Sequence, residues 1–152
     1  MGSTTRSQFD GSPINPLGQD WVDRGLGGFL QNHPDPDWAA MAMDNMGKQK
    51  VPTVRNVGRS PGRGFSKAYT HNGYFSSLKA VVHFYNTRDV KPTCPDPFTL
   101  EKDALRMGCW PEPEVSSNLN REELGKLGLT EKEEEAIVAF LRTLSDGYSI
   151  EK

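Results

Sequence analysis

Apolar residues recur at helical spacing in several parts of the chain. Leu78, Val81, Val82 and Tyr85 stand at i, i+3, i+4 and i+7, one face of an α-helix that Ser76 or Ser77 would cap and that should stop near Asn86. A second run, Ala136, Ile137, Phe140, Leu141 and Leu144, makes one stripe. It is opened by a capping box of Thr130 with Glu133 and closed by Asp146-Gly147. Leu100, Ala104 and Met107 share a face and predict a short helix. Asp37 is placed to cap another, from Trp38 to about Asn45, with Gly47 at its end. Residues 20–30, DWVDRGLGGFL, interrupt their apolar anchors with glycine and read as a loop with at most a short helical turn. Long connections punctuated by Pro and Gly separate these segments, and His71-Asn72-Gly73 is a tight-turn signature. The pattern predicts a mainly α fold of three to four short helices in extensive loop, with little or no sheet.

The ordering of three blocks carries more than periodicity. VPTVRNV at 51–57, AYTHNG at 68–73 and SLKAVVHFYN at 77–86 follow one another, with DRGLGGFL upstream and LGLTEKEEEAIVAFLRTLSDGY downstream. Together they resemble the C-terminal haem domain of the bacterial di-haem cytochrome c peroxidase and MauG family. The likeness spans about residues 14–148. It implies a cytochrome c-like fold in its C-terminal portion, haem c as cofactor and peroxide reduction as the family's activity. The thioether attachment motif C-x-x-C-H does not occur in the sequence. The resemblance therefore implies a partial domain at 21–148, after a flexible lead-in at 1–20 and before a tail at 149–152, with the haem-bearing portion supplied upstream or by a neighbouring chain.

Composition narrows the partners. With 35% hydrophobic residues, a mean hydropathy of −0.65, 15 glycines and 11 prolines in 152 residues, the core is small and loops are many. No apolar run approaches the ~20 residues that span a bilayer, and the first residues show no secretory signal. The formal charge of −2 is unevenly spread: Met46 to Arg88 contains no acidic residue, whereas Glu133, Glu134 and Glu135 form an acidic run. Nucleic acid is a poor fit, since the chain as a whole is not basic and shows no binding motif. A cationic surround for haem propionates, or for a small acidic redox protein, agrees with the resemblance. The family likeness also implies a periplasmic location.

The resemblance assigns roles residue by residue. Tyr85 ends the helix motif at the position that supplies an axial haem-iron ligand; read from periodicity alone it is the i+7 member of an apolar face. His71, in the glycine turn, would be an acid/base group near the inter-haem side, or a solvated turn histidine. Arg55 would hold a haem propionate through its bidentate fork, or pin loop carbonyls. Ser66 and Ala68 match positions whose carbonyls bind calcium in the peroxidases, but alanine replaces proline and the preceding loop is longer, which argues against calcium. Met41, Met43 and Met46 are alternative thioether donors or core filler. His33 and His83 have no motif support, and His83 should be exposed opposite the apolar face.

Cys94 and Cys109 enclose about 15 residues, and a disulfide there removes roughly 3 kcal/mol of unfolded-chain freedom. A disulfide suits an exported protein, two buried thiols an intracellular one. Two function classes follow: a part of a di-haem peroxidase-like oxidoreductase, or a haem-free remnant or interaction module without redox chemistry of its own.

Overall fold

The computed structural model describes residue 17, residues 20–59 and residues 68–148. The lead-in before residue 17, the stretch 60–67 and the tail at 149–152 lie outside the described residues. Among those described, the protein is mainly α, with no strand or sheet beyond two isolated bridges, Tyr69 with Phe75 and Thr93 with Trp110. Five α-helices and one 3-10 turn form, more than the three to four expected. They fall into two compact units: one runs to Lys50 and includes Glu112–Leu119, the other takes Val51–Pro111 and the chain from Asn120 onward.

In the first unit, helix α1 spans Gly25–Gln31, where a loop was expected. The reason lies in the glycines. A Cβ on Gly27 would sit 2.4 Å from the Met46 Cα, so the glycine lets α1 lie directly against the following 3-10 turn, Met43–Asn45. Helix packing here outweighs the intrinsic helix cost of glycine. Helix α2, Pro36–Ala40, is shorter than expected and begins earlier. Asp35, not Asp37, is its cap, accepting the Asp37 N–H at 2.9 Å, and Pro36 takes the first position, where its missing N–H costs nothing. Gly47 follows with φ of +76° and donates its N–H to the Arg24 carbonyl at 2.9 Å.

The second unit is built on α3 (Leu78–Thr87), α4 (Glu101–Met107) and α5 (Glu131–Thr143). Ser77 caps α3, its hydroxyl accepting the Ala80 N–H at 3.1 Å. α4 ends at Gly108, whose φ of +69° lies in the left-handed region. The capping box of α5 is present as the sequence predicts, Thr130 with Glu133. Two apolar clusters form on opposite sides of α3. Phe75, Ala80, Ala104, Trp110 and the bonded Cys94–Cys109 pair make one; Leu78, Val82 and Val138 make the other.

The buried stripe of α5 is rotated from the one expected. Glu134, Ile137, Val138 and Leu141 face inward, whereas Phe140 is 60% exposed and Ala136 is exposed. Both stripes have helical spacing, and apolarity alone favours the wrong one because the inward stripe begins with a carboxylate.

Candidate functional site

The sequence blocks that stand far apart in the chain meet around α3. Val57 from the first block, Tyr69 from the second, Leu78 and Val82 from the third, and Ile137, Val138 and Leu141 from α5 pack as one cluster. The Tyr69 hydroxyl donates to the Val57 carbonyl at 3.3 Å, and burial raises the pKa of that phenol against the opposing pull of Arg142. Gly58 lies where any side chain would strike Arg142, its added Cβ falling 2.8 Å from the Arg142 Cα.

The Arg55-Asn56 pair then clamps the end of α5. Arg55 reaches Asp146 as a two-bond fork, Nε to Oδ1 at 2.9 Å and a terminal nitrogen to Oδ2 at 3.0 Å. Asn56, at φ of +62°, donates Nδ2 to Asp146 Oδ2 at 3.0 Å, accepts the Asp146 N–H at 2.8 Å, and donates its backbone N–H to the Leu144 carbonyl at 2.7 Å. The Arg55 guanidinium, then Asn56, hold the Asp146 carboxyl below its ordinary range. The fork of Arg55 is thus engaged by a carboxylate of the same unit.

The inner face of α3 carries a polar network that sequence reasoning missed. Glu134, only 4% exposed, accepts the Asn86 side-chain N–H at 2.6 Å and the His83 Nδ1–H at 2.9 Å. Asn86, also buried, donates to the Leu129 carbonyl at 3.0 Å and accepts the Leu129 N–H at 2.9 Å, tying α3 to the entry of α5. On the other side of the ring, Lys91 Nζ donates to His83 Nε2 at 2.6 Å and lies 5.3 Å from the Trp110 ring centre. His83 is therefore partly buried and bonded at both nitrogens, not exposed as expected. A readable signal existed: Asn86 follows Leu78 and Val82 at steps of four, and Glu134 is in phase with Ile137, Val138 and Leu141.

An open cleft of about 510 Å³ runs along this network, with Ser77, Lys79, His83 and Thr87 on one side and Leu105 and Glu131 among the others that line it. Lys79 bridges Glu131 and Glu135, each at 3.1 Å, and these bonds raise its pKa.

The expected site residues are distributed as follows. Tyr85 stands on α3 with 37% of its surface exposed, while Leu78 and Val82 on the same helix are buried. Its carbonyl accepts the Gly125 N–H at 2.6 Å, which fixes the backbone that carries the ring. His71 lies in the exposed turn after Thr70. Ala68 is exposed, and Ser66 falls outside the described residues. Met41 and Met43 are exposed in the first unit, where Met46 is half-buried. Sulfur atoms of Cys94 and Cys109 are 1.97 Å apart, and both residues are buried.

These residues fit haem in one respect and not in another. The phenol of Tyr85, part-exposed on a helix whose backbone is fixed, has the chemistry of an axial oxygen donor. Covalent attachment through this chain's own cysteines does not fit, because each is already bonded to the other inside the core. No helix among the described residues is long and apolar enough to cross a membrane.

Comparison with known proteins finds one informative likeness. The chain is 36% identical over 149 residues to the methylamine utilization protein MauG of Paracoccus denitrificans (strain Pd 1222), an alignment that takes in 90% of this chain. It spans 32% of that relative's length. No family model matches the chain, and no solved structure matches it. The identity supports the di-haem cytochrome c peroxidase and MauG family as the chain's relatives.

Proposed function

We propose that this chain contributes the haem-facing wall of a di-haem peroxidase-like redox protein, acting together with a haem-bearing portion of the same protein or of a neighbouring chain. The observation that carries the reading is the contrast along α3: Leu78 and Val82 are buried, while Tyr85, at the family's ligand position, is 37% exposed. Haem, when bound, would supply the one-electron steps by which peroxide is reduced to water. Tyr85 would give an oxygen donor, which favours ferric over ferrous iron. The Arg55-Asn56 clamp and the Glu134 network would keep α3 from shifting against α5. His71 would serve as an acid/base group from its exposed turn. A small redox protein would deliver electrons, and a periplasmic location suits the disulfide.

The test is haem capture. The chain is expressed with c-type haem maturation, alone and fused behind a C-x-x-C-H segment, and haem is followed on denaturing gels and by absorbance. Haem is expected only in the fusion, with a Soret band that shifts when Tyr85 is replaced. A haem-stained band from the chain alone, or a fusion whose spectrum ignores every substitution on α3, would contradict the reading. The second outcome would favour a haem-free interaction module.

A further inference from the structure

Only Asn72, of all the asparagines in the sequence, precedes a glycine. Both residues of the pair are exposed, in the turn between Tyr69 and Phe75. The Asn72 side-chain oxygen accepts the Tyr74 N–H at 3.1 Å, so the side chain is folded back over the Gly73 peptide nitrogen that lies between them. Its second neighbour is the Thr70 hydroxyl, at 2.8 Å. The single proton of that hydroxyl is shared with the Tyr69 carbonyl. Donors converging on a carbonyl oxygen draw electrons from its carbon and stabilise the charge that develops when a nucleophile adds. The nearest possible nucleophile is the Gly73 nitrogen, which bears no side chain on its own Cα to block approach. Its N–H already points at an acceptor, the Thr70 carbonyl, at 3.2 Å. A Cβ at Gly73 would meet nothing nearer than the Ala68 Cβ at 3.4 Å, so the turn has room to rearrange.

We propose that Asn72 is a self-modification site, converting through a cyclic imide to aspartate and isoaspartate. The Gly73 nitrogen bonds to Asn72 Cγ. The Cγ–Nδ2 bond breaks, and Nδ2 leaves as ammonia with the proton from the Gly73 N–H. Water then adds to one of the two imide carbonyls and that C–N bond opens, leaving a carboxylate. The net change is amide plus water to carboxylate plus ammonium, with no electron transferred. Aspartate at this position keeps the Tyr74 N–H and Thr70 hydroxyl as donors, now to a charged acceptor. Isoaspartate instead lengthens the backbone by one carbon and moves His71 relative to Tyr74. The turn beside His71 would thus exist in chemically distinct forms that depend on the protein's age.

The purified chain is incubated folded, and in parallel in urea, at physiological temperature in mildly alkaline buffer. Peptide mapping by mass spectrometry then measures conversion at each asparagine. Asn72 is expected to convert faster than every other asparagine, and at least as fast folded as in urea. Thr70→Val should slow the folded reaction about tenfold, less than the ~100-fold cost of losing a buried oxyanion donor, and leave the rate in urea unchanged. Thr70→Ser should restore it. Asn72 remaining intact in the folded chain while converting in urea would overturn the proposal. So would a folded Thr70→Val chain that converts at the parent rate. Circular dichroism establishes that each variant is folded; should Thr70→Val not fold, the comparison of the parent chain folded and in urea decides.

Discussion

At the scale of single residues, the most informative position is Asn56. Its left-handed φ costs a residue with a Cβ about 1–2 kcal/mol, which asparagine offsets by local hydrogen bonds. Replacing it with alanine keeps the strain and removes the side-chain bonds to Asp146, so Asn56→Ala should destabilise the unit by about 2 kcal/mol in urea unfolding. Asn56→Gly relieves the strain and should cost less; equal losses for the two would mean the conformation matters little. The pH dependence follows from the carboxylates. Asp146, Asp89 and Glu133 all titrate below their ordinary values, owing chiefly to Arg55, to Arg88 and to the Thr130 N–H respectively. Folded values lower than unfolded ones contribute stability that is present above the ordinary range near pH 4 and is lost as pH falls through the folded values. The midpoint of thermal unfolding should therefore drop below pH 4 and stay level between pH 6 and 8; Arg55→Ala should make the acid drop shallower. These partners were not legible in the sequence. Arg55 and Asp146 are 91 positions apart, and only the closure of α5 onto the loop brings them together.

Element by element, the bounds of α3 were read nearly to the residue, because its cap and end agree, but not its facing, since Ala80 and Asn86 are buried and Tyr85 is exposed. α5 was legible in its bounds but not in its facing, and the reason is Glu134. A buried carboxylate breaks the rule that charged residues face water, and it is tolerated because Asn86 and His83 satisfy it. Removing the carboxylate leaves the buried Asn86 and partly buried His83 donors that faced it without that acceptor. Glu134→Ala should therefore cost about 3 kcal/mol or more, while Glu134→Gln, which still accepts from Asn86, should cost about half of that. Chemical denaturation of both variants checks this, and equal small losses would return Glu134 to the status of a surface charge. α1 was missed because Gly27 and Gly28 argue against a helix in sequence, whereas the contact with Met46 requires one of them. The bond between Cys94 and Cys109 closes the loop that carries α4 and places Trp110 in the core. Reduction should lower stability by about 3 kcal/mol and expose the indole, visible as a red shift in its fluorescence.

For the molecule as a whole, the mainly α class was readable from the spacing of apolar residues, and the likeness to MauG from the order of the three blocks. The division into two units was not, since Glu112–Leu119 returns to the first unit from a proline-rich stretch with no periodicity to mark it. Arg55 and Tyr85 differ at this scale: the arginine pairs with Asp146 at the end of α5, while the tyrosine stands part-exposed on α3. The account rests on that part-exposed tyrosine. Its most direct test is the optical and redox titration of the chain joined to a C-x-x-C-H segment, comparing the parent with Tyr85→Phe and Tyr85→Met. Phenylalanine conserves the ring and removes the oxygen, so the fold should survive while the charge-transfer band shifts and the reduction potential rises. Methionine should raise the potential further, because a thioether stabilises ferrous iron. Spectra and potentials identical in all three proteins would contradict the account and leave Tyr85 as a surface residue of α3.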